Sequence, residues 1–140
     1  MANNSVTYQI FNSIVKAVKP LGVKVYLQNR PKEKKYVEGI DKFLVIDIPT
    51  SIDNTCYGND DYHYRTTGVI YALVRSHTDG TPNIDAQTSF VRNIFDLFPY
   101  KDEIVECVNP NVLLRGLDDF GFQITTITFT LRTRVNAFAE

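Results

Sequence analysis

The stretch TTITFTLRTRV, residues 125–135, alternates apolar and polar side chains and decides how the rest of the chain is interpreted. One row of this alternation is Ile127, Phe129, Leu131 and Val135, with Thr133 between the last two. The other row is Thr126, Thr128, Thr130, Arg132 and Arg134. A period of two predicts a β-strand that places its first row against a core. The second row, of threonines and arginines, therefore meets water, nucleic acid or another protein.

The apolar phase changes just before this stretch. Phe122 and Ile124 occupy even positions, whereas the apolar residues from Ile127 onward occupy odd positions. Because a shift by one residue moves a side chain to the other face of a strand, the simplest prediction is a β-bulge near Thr125 and Thr126. The strand as a whole is expected over residues 122–135.

Hydrophobic periodicity predicts two amphipathic helices and four further strands in the rest of the chain. The helices are expected over residues 6–18 and 82–98, each followed by a proline that ends it. The further strands are expected over residues 23–29, 43–48, 65–77 and 103–108, with a loop from 109 to 121. The order α-β-β-β-α-β-β predicts an α+β two-layer sandwich, in which one mainly antiparallel sheet of about five strands carries two helices on one face.

Size and composition are those of one compact domain. The chain has 140 residues, of which 44% are apolar and 22% are charged, close to the average for globular proteins. We therefore expect a single domain over residues 1–140, with long loops at residues 30–42 and 50–64. Loops of such length usually serve a function.

The charge balance and hydropathy limit the partners and the compartment. Fifteen basic and sixteen acidic residues give a net charge of -1, so there is no global positive field to attract nucleic acid. The apolar runs are short and the first residues are polar, which predicts neither a membrane span nor a signal peptide. Cys56 and Cys107 form no CxxC pattern and are expected to be free thiols of a cytoplasmic protein.

Residue types suited to catalysis or metal binding occur without the spacing that such sites need. The loop group comprises Cys56, Asp60, Asp61 and His63, with His77 further on. It contains no recognised zinc or calcium spacing. Ser76, His77 and Asp79 lie too close in sequence to form a triad, and the adjacent Asp118 and Asp119 cannot face each other as an acid and base pair. Glycine-rich phosphate loops and nucleophile elbows are also missing from the sequence. We therefore predict a protein that is not an enzyme and uses no metal or cofactor.

Two groups of residues are the candidates for a binding surface. The first is a basic arm within the loop at 30–42, made of Arg30, Lys32, Lys34 and Lys35. It has the charge to contact phosphates, but it lacks interleaved aromatic residues and is diluted by Glu33 and Glu38. The second is the row Thr126, Thr128, Thr130, Arg132 and Arg134. Threonine also serves simply to keep an exposed strand soluble, yet a flat β-branched face bordered by arginines suits contact with another subunit.

The element order and texture resemble those of bacteriophage tail terminator proteins, also called tail completion or head-tail joining (neck) proteins. The likeness covers nearly the whole chain. It lies in an N-terminal helix, a strand pair with a long arm, the strand YRTTGVIYALV, the helix NIDAQTSFVRNIFDLF and the closing strand FQITTITFTLRTR.

The resemblance implies a structural, non-enzymatic virion protein that is assembled in the host cytoplasm. Such a subunit forms a homo-oligomeric ring, a hexamer or higher, which caps the tail tube and docks the neck or connector proteins. DNA passes transiently and without specificity through the ring, the loops at 30–42 and 50–64 reach adjacent subunits or rings, and the threonine and arginine row faces a neighbour or the bore. A different interpretation stays open: a small ferredoxin-like module that binds a ligand or nucleic acid, since strand, helix and strand around residues 84–98 also fit that layout.

Overall fold

The computed structural model of the protein describes residues 6–27, 40–47, 53–54, 64–117 and 121–134. Both predicted helices are present. Helix α1 spans Val6–Val18 and continues into a 3₁₀ turn, Lys19–Leu21, which ends at Gly22 with φ of 67°. Such a left-handed conformation favours glycine because it has no Cβ. Helix α2 spans Ile84–Phe95, and the side chain of Asn83 caps it by accepting a hydrogen bond of 3.2 Å from the amide of Ala86.

The strands of the described residues form one mixed sheet. They are β1 Lys24–Leu27, β2 Lys42–Asp47, β3 Asp53–Asn54, β4 Tyr64–Arg75, β5 Tyr100–Lys101, β6 Val105–Leu117 and β7 Phe122–Thr133. Their spatial order is β1-β2-β4-β7-β6-β5, and β3 pairs with β4 beside the main path. No helix in the described part is long and apolar enough to cross a membrane.

The predicted strand order and antiparallel sheet need correction. The observed order along the chain is α-β-β-β-β-α-β-β-β, because the two-residue strands β3 and β5 are too short to leave a periodic signal. Strand β6 continues to Leu117 through the segment predicted as a loop. Strands β1 and β2 are parallel, whereas the other pairs are antiparallel.

The main core lies between the sheet and both helices, which gives the chain an α+β fold. One continuous cluster joins buried residues of α1 and α2 to alternate residues of β2, β4, β6 and β7. Its largest fully buried members include Ile10, Ile14, Phe90, Ile94, Leu44, Ile46, Ile70, Ile127 and Leu131. Both helices therefore contact the same face, here called the helical face. The predicted core row, Ile127, Phe129 and Leu131, lies on it.

A second apolar cluster lies on the opposite face, at the end of the sheet near the start of β7. Its buried residues are Phe43, Val45, Leu73 and Phe122, and Tyr26, Ile40, Tyr71 and Ile124 pack against them. The Phe43 and Phe122 rings meet edge to face with centroids 5.0 Å apart. The Arg75 guanidinium covers Phe122 at 4.6 Å from its ring centroid. The opposite face is therefore divided into this second cluster and a more polar part.

This second cluster explains the change of apolar phase and overturns the predicted bulge in β7. Pairing of β4 with β7 runs without interruption from Tyr64 opposite Thr133 to Arg75 opposite Phe122. Phe122 and Ile124 are apolar because they belong to the second cluster, on the face away from the helices. The register shifts occur in β6 instead, between Val108 and Asn111 and between Leu114 and Leu117.

A polar network fixes the start of α2 on the helical face. The amide of Asn83 donates to Gln123 Oε1, and Gln123 Nε2 donates to Gln87 Oε1 at 3.0 Å. Gln87 Nε2 in turn donates to Thr125 Oγ1 at 2.8 Å. Gln123 and Thr125 are 4% and 0% exposed, so this network satisfies polar groups that would otherwise be buried without partners.

Gly68 leaves the space that the ring of Phe129 occupies. The two residues are directly opposite each other on β4 and β7. A Cβ atom at position 68 would lie 2.3 Å from Phe129 Cζ and 2.4 Å from Cε2. The ring also contacts Phe98, with centroids 5.1 Å apart, so the glycine is a packing requirement of the core.

Candidate assembly interface

The more polar part of the opposite face, here called the open face, lies beyond the second cluster. It consists of Thr67 and Val69 of β4, Thr128 and Thr130 of β7, and Val108 of β6. Thr130 lies directly between Thr67 and Val108, and Thr128 lies beside Val69 in the next cross-strand row. Thr67 is exposed and the other four residues are partly exposed. The open face is thus a surface of β-branched side chains, to which β7 contributes Thr128 and Thr130.

Thr126 is placed differently from the other predicted threonines. It lies between Tyr71 and Leu113 in its cross-strand row and is only 6% exposed. Tyr71 packs against the second cluster. Thr126 therefore marks the border of that cluster, while Thr128 and Thr130 remain accessible to a partner.

A row of charged residues borders the open face at the end of β7. Arg132 lies between Arg65 of β4 and Glu106 of β6, and Lys101 of β5 follows Glu106. Arg132 Nη1 and Glu106 Oε1 are 3.1 Å apart, with side chains 28% and 24% exposed. A pair this accessible to solvent contributes at most about 1 kcal/mol to stability. Asp53 of β3 lies opposite Arg65, so the row holds three cations and two carboxylates, and the border has a small positive excess.

Arg134 lies just past this row, beside a groove between α1 and the β5–β6 turn. Its amide donates to the carbonyl of Ile104 at 3.1 Å, and its side chain is exposed. The groove is lined by Ser13, Lys16, Lys101, Asp102, Glu103, Ile104 and Arg134. The sheet therefore brings Arg134 close to Lys101, although the two are distant in sequence.

Asp102 holds the β5–β6 turn in place. Its Oδ1 accepts hydrogen bonds from the amides of Ile104 and Val105 at 2.7 and 2.8 Å, and its Oδ2 accepts one from the Tyr100 hydroxyl at 2.9 Å. Partial burial alone would raise the pKa of Asp102, but the amides, with the hydroxyls of Tyr100 and Ser13, lower it below its ordinary value. Burial and the bond to Asp102 raise the pKa of Tyr100 to about 12. The hydrogen bonds by which Asp102 holds the turn are therefore the same ones that lower its pKa.

Other predicted residues lie outside the described part of the chain. The basic arm of Arg30, Lys32, Lys34 and Lys35 falls there, as do Cys56, Asp60, Asp61, His63, Asp118 and Asp119. His77 is exposed beyond the end of β4. Within the described ranges, no three histidine, cysteine, aspartate or glutamate residues are grouped as a metal site would require. Cys107 is a buried free thiol, and burial raises its pKa to about 12.

The sequence analysis missed an exposed apolar edge. Val112 and Leu113 of β6 are 39% and 55% exposed, on a segment that was predicted as a loop. The strand was missed because residues 109–121 show no regular period; Asn109 and Pro110 form its first register shift. The run Val112, Leu113 and Leu114 was the available signal of a strand.

Comparison of the sequence with models of protein families found no match, and comparison with curated proteins found no significant similarity.

Proposed function

We propose that this chain is a structural, non-enzymatic subunit that forms a ring at the head-tail junction of a bacteriophage. In this role it caps the tail tube and docks neck or connector proteins in the virion, after assembly in the host cytoplasm. The observation that carries the proposal is the open face: a partly exposed surface of β-branched side chains, Thr67, Val69, Thr128 and Thr130, on the side of the sheet away from both helices. The resemblance to tail terminator proteins supplies the biological setting.

The chemistry of the open face supports contact with protein more than capture of nucleic acid. Its aliphatic and threonine side chains offer apolar area without exposed aromatic rings on which bases could stack. On the rest of the opposite face Phe43 and Phe122 are each 0% exposed, while Tyr26 and Tyr71 pack against them and are partly exposed. A subunit that packs against other proteins of an assembly needs a surface like the open face, with charged residues such as Arg132 at its border.

The net positive border suits the passage of DNA through a ring. Arg65, Arg132 and Lys101 give positive charge at one end of the sheet, while Asp53 and Glu106 in the same cross-strand row offset most of it. Each phosphate contact adds affinity through counterion release, so a lumen with few cations lets DNA slide without being held. Transient, sequence-independent contact is therefore the expected relation to DNA.

Tail-tube capping tests this function directly. Purified protein is mixed with purified, uncapped tail tubes of the phage that encodes it, and the tube ends are counted by negative-stain electron microscopy. The proposal expects a ring at one end of each tube. A variant with Thr128→Arg and Thr130→Arg places two charges on the open face, and Ile84→Arg at the exposed start of α2 is the matched control. Tubes that stay bare with the unmodified protein, and a chain that binds no neck protein, would contradict the proposal.

A ferredoxin-like binding module is the second candidate, and one observation favours it. Strand β4, helix α2 and strand β6 form a crossover between parallel strands, with β7 inserted antiparallel between them. This split β-α-β unit recurs in small modules that bind ligands or nucleic acid. Filter binding to DNA and RNA over a salt series separates the candidates: tight, site-specific binding that persists at high salt favours the module, and weak binding that disappears with salt favours the ring subunit.

A further inference from the structure

We infer that neighbouring subunits join through two edges of the sheet that pair with no further strand among the described residues, the β6 edge of one copy pairing with the β1 edge of the next. The inference rests on the proposed function, since it specifies the contact that closes the ring. Its starting point is the exposed pair Val112 and Leu113. The β6 edge means the outer side of β6 near these residues, and the β1 edge means the side of Lys24–Leu27 away from β2.

The β6 edge offers backbone groups for pairing. Within the described part of the chain, β6 has β7 on one side and meets β5 on the other only at Glu106 and Cys107. The two register shifts, before Asn111 and after Leu114, limit the regular stretch to four residues. An edge of this kind is a template for another strand, and the shifts prevent it from accepting a long one.

Two neighbouring apolar side chains point to opposite sides of this edge. Val112 lies opposite Ile127 and shares the helical face, whereas Leu113 lies opposite Thr126 and shares the other face. A helix or loop laid on one face would cover one of the two side chains. An added strand covers both, because its own side chains alternate between the same two faces. The occupant of the β6 edge is therefore a strand.

The β1 edge of a second copy has the matching direction. The described residues of β1, Lys24–Leu27, have β2 as their neighbour. Because β1 is parallel to β2, and each step from β2 through β4 and β7 to β6 is antiparallel, β1 and β6 run in opposite directions. Two copies in the same orientation therefore bring β6 and β1 together as an antiparallel pair.

The alternation of side chains selects a register for this pair. Leu113 belongs opposite Tyr26, and Val112 belongs opposite Leu27, because each couple then shares one face of the joined sheet. Leu27 lies opposite Ile46 on the helical face, and Tyr26 packs against the second cluster on the other. Both couples are apolar, so the contact extends the two clusters of each subunit into the next.

A contact between two different edges is heterologous, so repetition produces either a closed ring or an open filament. In a ring built this way the sheets form a continuous inner or outer wall with every helical face on the same side. Placing the helices outside directs Thr128, Thr130 and Arg132 toward the bore.

Cysteine cross-linking tests the register. The unmodified chain and a variant with Leu27→Cys and Val112→Cys are oxidised at the same protein concentration and separated by denaturing electrophoresis. Directly opposed residues of antiparallel strands have Cα atoms about 4.5 or 5.5 Å apart, which is within the range for a disulfide. The expected result is a ladder of covalent oligomers that collapses on reduction. The two single variants, and a Leu27→Cys and Ile84→Cys pair, are expected to give no ladder and control for the native cysteines.

A charged side chain placed in the β6 edge tests the same contact without a cross-linking reaction. Leu113→Asp is expected to convert the ring to the 16.0 kDa monomer in sedimentation velocity, with an unchanged circular dichroism spectrum. Ile84→Asp is the matched control, because Ile84 is also exposed, at 64%, but lies on α2 away from either edge. A Leu113→Asp ring that persists, with no cysteine ladder, overturns the edge contact and leaves the ring proposal intact. An unmodified chain that is monomeric at every concentration overturns both.

Discussion

Replacing Gly68 by alanine examines how the core is packed. A Cβ atom at this position would lie 2.3, 2.4 and 2.9 Å from three atoms of the Phe129 ring. Carbon atoms in good contact are about 3.5–4.0 Å apart, so the ring would have to move by more than about 1 Å. Phe129 is 2% exposed and lies against Phe98 in the core, so a shift of the ring displaces its neighbours.

The expected change in the free energy of unfolding is the difference between two opposing effects. Overpacking a core costs about 1–3 kcal/mol, whereas alanine in place of glycine within a strand stabilises the backbone by about 0.5–1 kcal/mol. We therefore expect Gly68→Ala to lower the free energy of unfolding by about 1–2 kcal/mol. Thr67→Val, at the exposed neighbouring position on the other face, is the control and should change it by less than about 0.5 kcal/mol.

Urea unfolding followed by circular dichroism, at one fixed protein concentration, measures these changes. Adding Phe129→Leu provides a double-mutant cycle, because the smaller side chain makes room for the new methyl group. The loss in the double variant should be smaller than the sum of the two single losses by about 1 kcal/mol or more. A Gly68→Ala protein that is as stable as the unmodified chain, or two losses that simply add, would refute this packing argument.

Three further predictions concern other parts of the molecule. Asp102→Asn should lower stability by about 1 kcal/mol at pH 7, because two amide hydrogen bonds lose a charged acceptor. Because the pKa of Asp102 is lowered in the folded protein, the difference in unfolding free energy between the variant and the unmodified chain should be constant above the ordinary pKa of 3.8. This difference should shrink as the pH falls below 3.8, as measured by urea titrations at several pH values. A difference that grew on acidification would contradict the prediction. In a Cys56→Ser background, Cys107 should resist Ellman's reagent at pH 8 in the folded protein and react fully in guanidinium chloride, because burial raises its pKa to about 12; fast reaction in buffer would show that the thiol is accessible. Gln87→Leu should lower the free energy of unfolding, measured by chemical denaturation, by about 1–3 kcal/mol, because Gln123 and Thr125 lose the hydrogen bonds they make with Gln87. An unchanged free energy would show that this network does not hold α2 on the sheet.

The two helices and the later part of β7 could be predicted because their periodic patterns each reflect one buried face. Residues 6–18 are helical as predicted, and the core row of Ile127, Phe129 and Leu131 lies on the helical face. These elements carry enough repeats for the period to be unambiguous. The α+β class follows from the same local information.

The bulge in β7 was predicted wrongly because the pattern was assumed to have one buried face. Phe122 and Ile124 are apolar on account of Phe43 and Leu73, which reach the same cluster from strands far away in sequence. Local periodicity cannot show which distant strands share a face. The same limit applies to the parallel pairing of β1 with β2 and to the two-residue strand β5.

The candidate surface was predictable in part. The alternation in β7 identified Thr128, Thr130 and Arg132, and the sheet adds Thr67 and Val69 as their neighbours. The partners from β4 could not be chosen from sequence, because pairing depends on the register between distant segments. The exposed edge of β6 was missed because the register shifts interrupt its period, and proline is tolerated in a strand at such an edge or bulge.

The mass of the unmodified chain in solution is the most direct test that the sheet is built for assembly. Mass photometry, supported by native mass spectrometry for the micromolar range, gives the distribution of oligomers across a dilution series. We expect one closed oligomer with a mass that is an integral multiple of 16.0 kDa, and the resemblance implies six copies. A 16.0 kDa particle at every concentration, or a continuous series of masses without a preferred number, would contradict it.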